Sequence, residues 1–174
     1  MGMFHLLMKS ANRQEKEFLL SRLNAVDRTF YQDYFVDKKL PRSFHQTRSI
    51  FVHVPKCAGT SLNKALYPDT TLGHRSAGLY QTFFPEQYQH YFTFAFARNP
   101  WDRLVSAYSY LCKGGNPRHD AAWQTTLQRF ASFDEFVKEW LCAENVVKQI
   151  HFAPQHQYIC DNTGVVSLDF VGRL

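Results

Sequence analysis

The run Pro55-Lys56-Cys57-Ala58-Gly59-Thr60-Ser61 carries the parts of an anion cradle. Gly59 lets main chain approach a ligand closely. A helix starting beside it offers unpaired N–H groups and a partial positive charge. Thr60 and Ser61 add hydroxyls, and Lys56 adds a full charge. A phosphate or sulfate group suits this set. The same run also suits an ordinary strand-to-helix turn, and by itself it does not separate the two readings. It is not the G-x-x-x-x-G-K-[ST] phosphate loop, because Lys56 precedes the glycine and the loop is shorter. A second segment reads R-x-P-x-x-R-L-x-S-x-Y from Arg98 to Tyr108. An Arg fork followed eight residues later by Ser106 can hold another phosphate from two sides. The bland alternative is an Asp102–Arg ion pair with a surface serine.

The elements around these segments place them alike. Ile50–Val54 is a short β-branched and aromatic run ending at Pro55, which predicts a buried strand. Tyr91–Ala97 predicts a second strand, buried on both faces. Helices are predicted from Leu62–Leu66, over Ser76–Phe84 up to Pro85, over Trp101–Cys112, and over 120–130 and 132–142. Asp69–Leu72 reads as a short strand, and Gln157–Cys160 with Val165–Phe170 as a hairpin around Asp161-Asn162-Thr163-Gly164. Alternating strand, loop and helix predict an α/β fold with a mostly parallel sheet. Both candidate loops follow a strand directly, where such sheets bind ligands.

Composition bounds the rest. The chain has 174 residues, 45% hydrophobic and 20% charged, which suits one globular domain and not disorder. A net charge of +5 favours an anionic ligand without naming it. Basic residues are scattered and no reading motif for nucleic acid is present. No run reaches the roughly 18 apolar residues of a membrane span. Met1–Met8 lacks the features of a signal peptide, and Leu6 stands where a myristoylation site wants Ser or Thr. Cys57, Cys112, Cys142 and Cys160 form no C-x-x-C pair and read as free thiols, so a cytoplasmic location is expected. His151, His156 and Cys160 lack zinc-site spacing, so no metal is expected. Residues 10–36 carry apolar side chains at helical spacing, from Phe18 to Phe35. Lys38, Lys39, Arg42 and Arg48 make a basic connector, either a solvated loop or a patch for an acidic partner.

Four motifs in order resemble the sulfotransferases that use 3′-phosphoadenosine 5′-phosphosulfate (PAPS). The likeness is to the carbohydrate branch that includes the heparan sulfate 2-O-sulfotransferases. They are Phe51-Val52-His53-Val54-Pro55-Lys56-Cys57-Ala58-Gly59-Thr60-Ser61, the segment 96–108, His151-Phe152-Ala153-Pro154-Gln155, and Asp169-Phe170-Val171-Gly172-Arg173. The resemblance covers residues 49–174 as one domain and leaves 1–48 as an N-terminal helical extension. It implies a three-layer fold like the P-loop kinases, and PAPS as donor with PAP as product. It implies that Lys56, Cys57, Ala58, Gly59, Thr60 and Ser61 hold the phosphosulfate and that Arg98 and Ser106 hold the 3′-phosphate. It also implies that His74, in a Gly-His context between the two motifs, is the base acting on an acceptor hydroxyl of a carbohydrate. His53 is a weaker rival, and His151 is either a contact or structural. Arg103 is read as a brace or a carboxylate partner. Cys57 sits where a thiol pKa could fall, though no matched His and acid accompany it. Further helices follow the last motif in that family, so the chain reads as a minimal or truncated version. Two other readings stand: a degenerate, non-catalytic nucleotide-binding domain, and a small-molecule kinase, which the loop order disfavours.

Overall fold

A computed structural model describes residues 39–174 except 69, 118, 119 and 162, together with Asn12 and Glu15. The helix expected over residues 10–36 lies outside the described residues, apart from those two positions.

Three short parallel strands form the sheet, in the order β1-β2-β3. β1 is Ser49–Val52, β2 is Phe92–Ala97 and β3 is Phe170–Arg173. Phe51 pairs with Phe94, and Ala95 pairs with Val171. Helices α1 (Arg42–Thr47), α2 (Gly59–Leu66), α3 (Ala77–Phe83) and α4 (Pro85–His90) precede β2. Helices α5 (Pro100–Cys112), α6 (Ala121–Leu127), α7 (Phe133–Glu139), α8 (Ala143–Val146) and α9 (His156–Ile159) precede β3. This is the expected α/β architecture, a parallel sheet with flanking helices, and it fits a P-loop-like sulfotransferase fold.

Parallel strands are normally covered on both faces, so they read as continuous apolar runs. Ile50, Phe51 and Val52 are fully buried, with Phe44, Val54, Tyr67, Tyr80 and Tyr158 in the same core. A second core joins α5, α6 and α7 through Ala107, Leu111, Leu127, Phe136 and Phe152. β2 departs from the expected burial at its start, where Phe92 is exposed.

The last strand shows how the D-F-V-G-R element works. The Asp169 carboxylate accepts from the Thr93 N–H at 2.7 Å and from the Thr93 hydroxyl at 2.9 Å. That bond pair sets β3 beside β2. A Cβ on Gly172 would collide with the Phe96 ring, so glycine there lets the ring lie against the strand.

Three expectations are corrected. Thr70–Ser76 is irregular and forms no strand, because its contacts run to α1 and β1 neighbours: Thr70 bonds Ser43 at 2.7 Å and His74 bonds the His53 carbonyl. Residues 156–159 form α9, not a hairpin arm, and only a single antiparallel bridge joins Cys160 to Val166. Pro85 does not merely end α3. It occupies the first turn of α4, where its fixed φ and missing N–H cost nothing.

Candidate functional site

A cavity of about 600 Å³ opens where all three strands end. It is lined by His53, Lys56 and the Ala58–Ser61 turn after β1, and by Arg98, Asp102, Ser106 and Tyr110 after β2. Leu174, after β3, closes one side, and its N–H donates to the Ala97 carbonyl at 2.9 Å. His74 and His151 complete the lining. Thus His74, Lys56, Ala58, Gly59, Thr60, Ser61, Arg98 and Ser106 share one space, though up to 50 residues separate them. Cys57 does not line it. Its thiol turns inward and donates to Gln155 Oε1 at 3.2 Å. Burial pushes the thiol pKa up, against the fall that the loop suggested, although the nearby arginines pull the other way.

The β1–α2 loop carries backbone strain. Lys56 and Ala58 have φ of 66° and 51°, left-handed values unusual outside glycine. Ala58 stands at the N-cap of α2 with no side-chain cap. By contrast, Ser76 caps α3 and Asn99 caps α5 with their side chains. The first N–H groups of α2, on Gly59 and Thr60, have no partner within the helix. Gly59 is required by its neighbour, since a Cβ there would strike the His53 ring.

Lys56 lies with Nζ 3.8 Å from the centre of the Tyr110 ring, a cation–π contact. Tyr110 donates its hydroxyl to Asp120 Oδ2 at 3.3 Å. Burial lowers the Lys56 pKa, Arg98 and Arg103 lower it further, and Asp120 opposes them. Three cations near one cavity therefore repel each other, and an anion placed there would relieve that repulsion. Arg103 reaches no carboxylate among the described residues: its Nε donates to Pro55 O at 2.8 Å and its Nη1 to Ala153 O at 2.9 Å. It is a brace between loops.

His74 keeps some surface open to the cavity and is otherwise closely enclosed. Its Nδ1 lies 3.0 Å from the His53 carbonyl. A carbonyl only accepts, so Nδ1 carries the proton and Nε2 carries the lone pair. Burial lowers the His74 pKa well below 6.5, with further lowering from His53, His151 and Arg103. The His53 ring centre is 4.3 Å away, and burial brings its pKa down to about 4. His151 is buried beside Asp120, with Nε2 3.5 Å from Oδ2.

Sequence reasoning gave Asp102 only a structural ion pair and gave Tyr110 no place at the site. Their signal was spacing: Asp102, Ser106 and Tyr110 recur every four residues on α5, one face of the helix. Asp120 had no such signal, because its partners Tyr110, Asn116 and His151 come from separate elements. Among the described residues, no group of His, Cys, Asp and Glu could hold a metal ion. None of their helices is long and apolar enough to cross a membrane. A larger cleft of about 750 Å³ lies against the other side of the 70–75 segment, and the connector residues Lys39 and Arg42 line it with Arg75.

A parallel α/β sheet with a basic, strained loop at its strand ends is an arrangement suited to an anionic ligand. Comparison with protein-family models matches residues 44–174, most of the chain, to the sulfotransferase family. The chain belongs to that family, and sulfuryl transfer is its general chemistry. No curated protein and no solved structure matches the chain significantly.

Proposed function

We propose that the protein transfers a sulfuryl group from PAPS to a hydroxyl acceptor, with His74 as base. The observation that carries this reading is the locked tautomer of His74 beside the cation-lined cavity. The residues present fit such a donor. Gly59 has no Cβ, α2 has no side-chain cap, and Lys56 and Arg98 stand in separate loops of the same cavity. Lys56, Gly59, Thr60 and Ser61 would hold the phosphosulfate, and Arg98 and Ser106 the 3′-phosphate. When bound, PAPS supplies an activated sulfuryl group on a phosphate leaving group.

The acceptor oxygen attacks sulfur as the bond from sulfur to the phosphate oxygen breaks. His74 Nε2 takes the acceptor proton, and the leaving electron pair stays on the phosphate of PAP. Lys56 neutralises that charge. The lowered His74 pKa keeps the imidazole neutral and able to accept at pH 7. A bound polyanion raises the basicity of a nearby imidazole, which favours the proton's arrival. Catalysis here is mostly positioning and charge stabilisation. For the acceptor we propose a carbohydrate, on the resemblance of the motifs and the polar lining of the cleft beside residues 70–75.

The test is thermal and chemical. PAP should raise Tm, because a ligand that binds only the folded state stabilises it. Lys56→Ala should weaken PAP roughly 10- to 100-fold, the value of a contact to a charged group. Labelled sulfate from PAPS should then appear in a carbohydrate acceptor panel. Absence of any PAP binding would overturn the reading.

A further inference from the structure

One side chain joins the two anion clamps. The Gln155 amide meets the Arg98 main chain twice. Arg98 N–H donates to Oε1 at 2.9 Å, and Nε2 donates to the Arg98 carbonyl at 2.8 Å. The same Oε1 accepts from Cys57 Sγ at 3.2 Å. Gln155 therefore grips both the first residue after β2 and the middle of the β1–α2 loop. Cys57 stands between Lys56 and Ala58, the two left-handed residues, a conformation that persists only with outside support. Arg103 adds a parallel strut from α5 to Pro55 and Ala153, the latter two residues before Gln155. Gln155 does not line the donor cavity; it borders a separate groove with Trp101, Leu104 and Pro154. Any effect on a ligand must pass through Arg98 and Cys57.

We propose that Gln155 is a positioning residue that sets the spacing between the Lys56 loop and Arg98. The site thereby selects a nucleoside bearing anionic groups at both its 5′ and 3′ positions over one bearing a single group. This rests on the donor reading above. Binding at one clamp presents the second anion to the other at an effective concentration set by how well the spacing is held. Loosening the spacing removes that gain and leaves each clamp chemically intact.

The test uses isothermal titration of the full chain with PAP, 5′-AMP and 3′-AMP. The variants are Gln155→Met, which keeps volume and loses the amide, and Gln155→Glu, which keeps only the acceptor side. PAP affinity should fall roughly tenfold or more in Gln155→Met, while each monophosphate changes less than about threefold. Gln155→Glu should fall between Gln155→Met and wild type. If Gln155→Met melts below the assay temperature, Gln155→Glu carries the same comparison. An equal loss for all three nucleotides overturns the proposal, because Gln155 would then only support the fold. Unchanged PAP affinity overturns it too. Failure of the wild type to bind PAP is a separate result, which removes the donor reading and the spacing role with it.

Discussion

His74 is defined by one hydrogen bond and by its neighbours. The His53 carbonyl fixes the proton on Nδ1, so in the proposed reaction the lone pair on Nε2 would need no rearrangement. His74→Asn should lower kcat by about 10²- to 10⁴-fold, the usual range for losing a general base, and leave PAP affinity nearly unchanged. Titration of PAP beside turnover assays separates the two effects. The lowered pKa also moves the pH profile. The base form persists as pH falls through 6.5, so the acid limb of kcat/KM should lie below pH 6.5. Gly59 makes a second case at this scale. Gly59→Ala drives a methyl into the His53 ring, and overpacking of this kind costs about 1–3 kcal/mol. A lower Tm and weaker PAP binding should appear together, since the ring and the loop share that contact.

Elements decide which residues face the cavity. α5 carries Asp102, Ser106 and Tyr110 on its cavity face, and turns Ala107 and Leu111 into the second core. Arg103, on the same helix, is buried and ties the β1–α2 loop to the segment before α9. Arg103→Leu strips the buried Ala153 carbonyl of its donor and leaves the Pro55 carbonyl only the long 3.6 Å contact from the Cys57 thiol, a loss of about 1–3 kcal/mol for each carbonyl. Urea unfolding should therefore show a clear loss of stability, and PAP affinity should fall even though Arg103 does not line the cavity that holds Lys56 and Arg98.

Over the whole molecule, buried histidines link folding to pH. His53 has a folded pKa of about 4 against 6.5 when unfolded. The unfolded state then binds more protons between those values, so stability falls as pH drops from 6.5 toward 4. At 1.36 kcal/mol per unit, the full shift is worth ~3 kcal/mol. Unfolding free energy should be lower at pH 5 than at pH 7.5, and His53→Gln should flatten that difference. The net charge of +5 acts at the same scale. Exposed charges are screened over about 8 Å at physiological ionic strength, so PAP should bind more weakly as salt rises.

The strand-ending loops, the parallel α/β class and the pairing of Lys56 with Arg98 were legible in the sequence. They depend on local rules: apolar runs make strands, Pro and Gly end them, and the first turn of a helix has free donors. The strand expected over Asp69–Leu72 and the hairpin arm expected at α9 were misread because local composition does not record the distant contacts that decide them, such as Thr70 on Ser43. Cys57 looked like part of the cradle by position, yet burial against Gln155 turned its thiol away. The tautomer of His74, the Tyr110 platform under Lys56 and the Gln155 bridge exist only in three dimensions. Each joins residues that lie between 21 and 98 positions apart. Sequence determined which groups could bind an anion; tertiary packing decided their spacing, protonation and direction, because those follow from neighbours that the chain brings together only on folding.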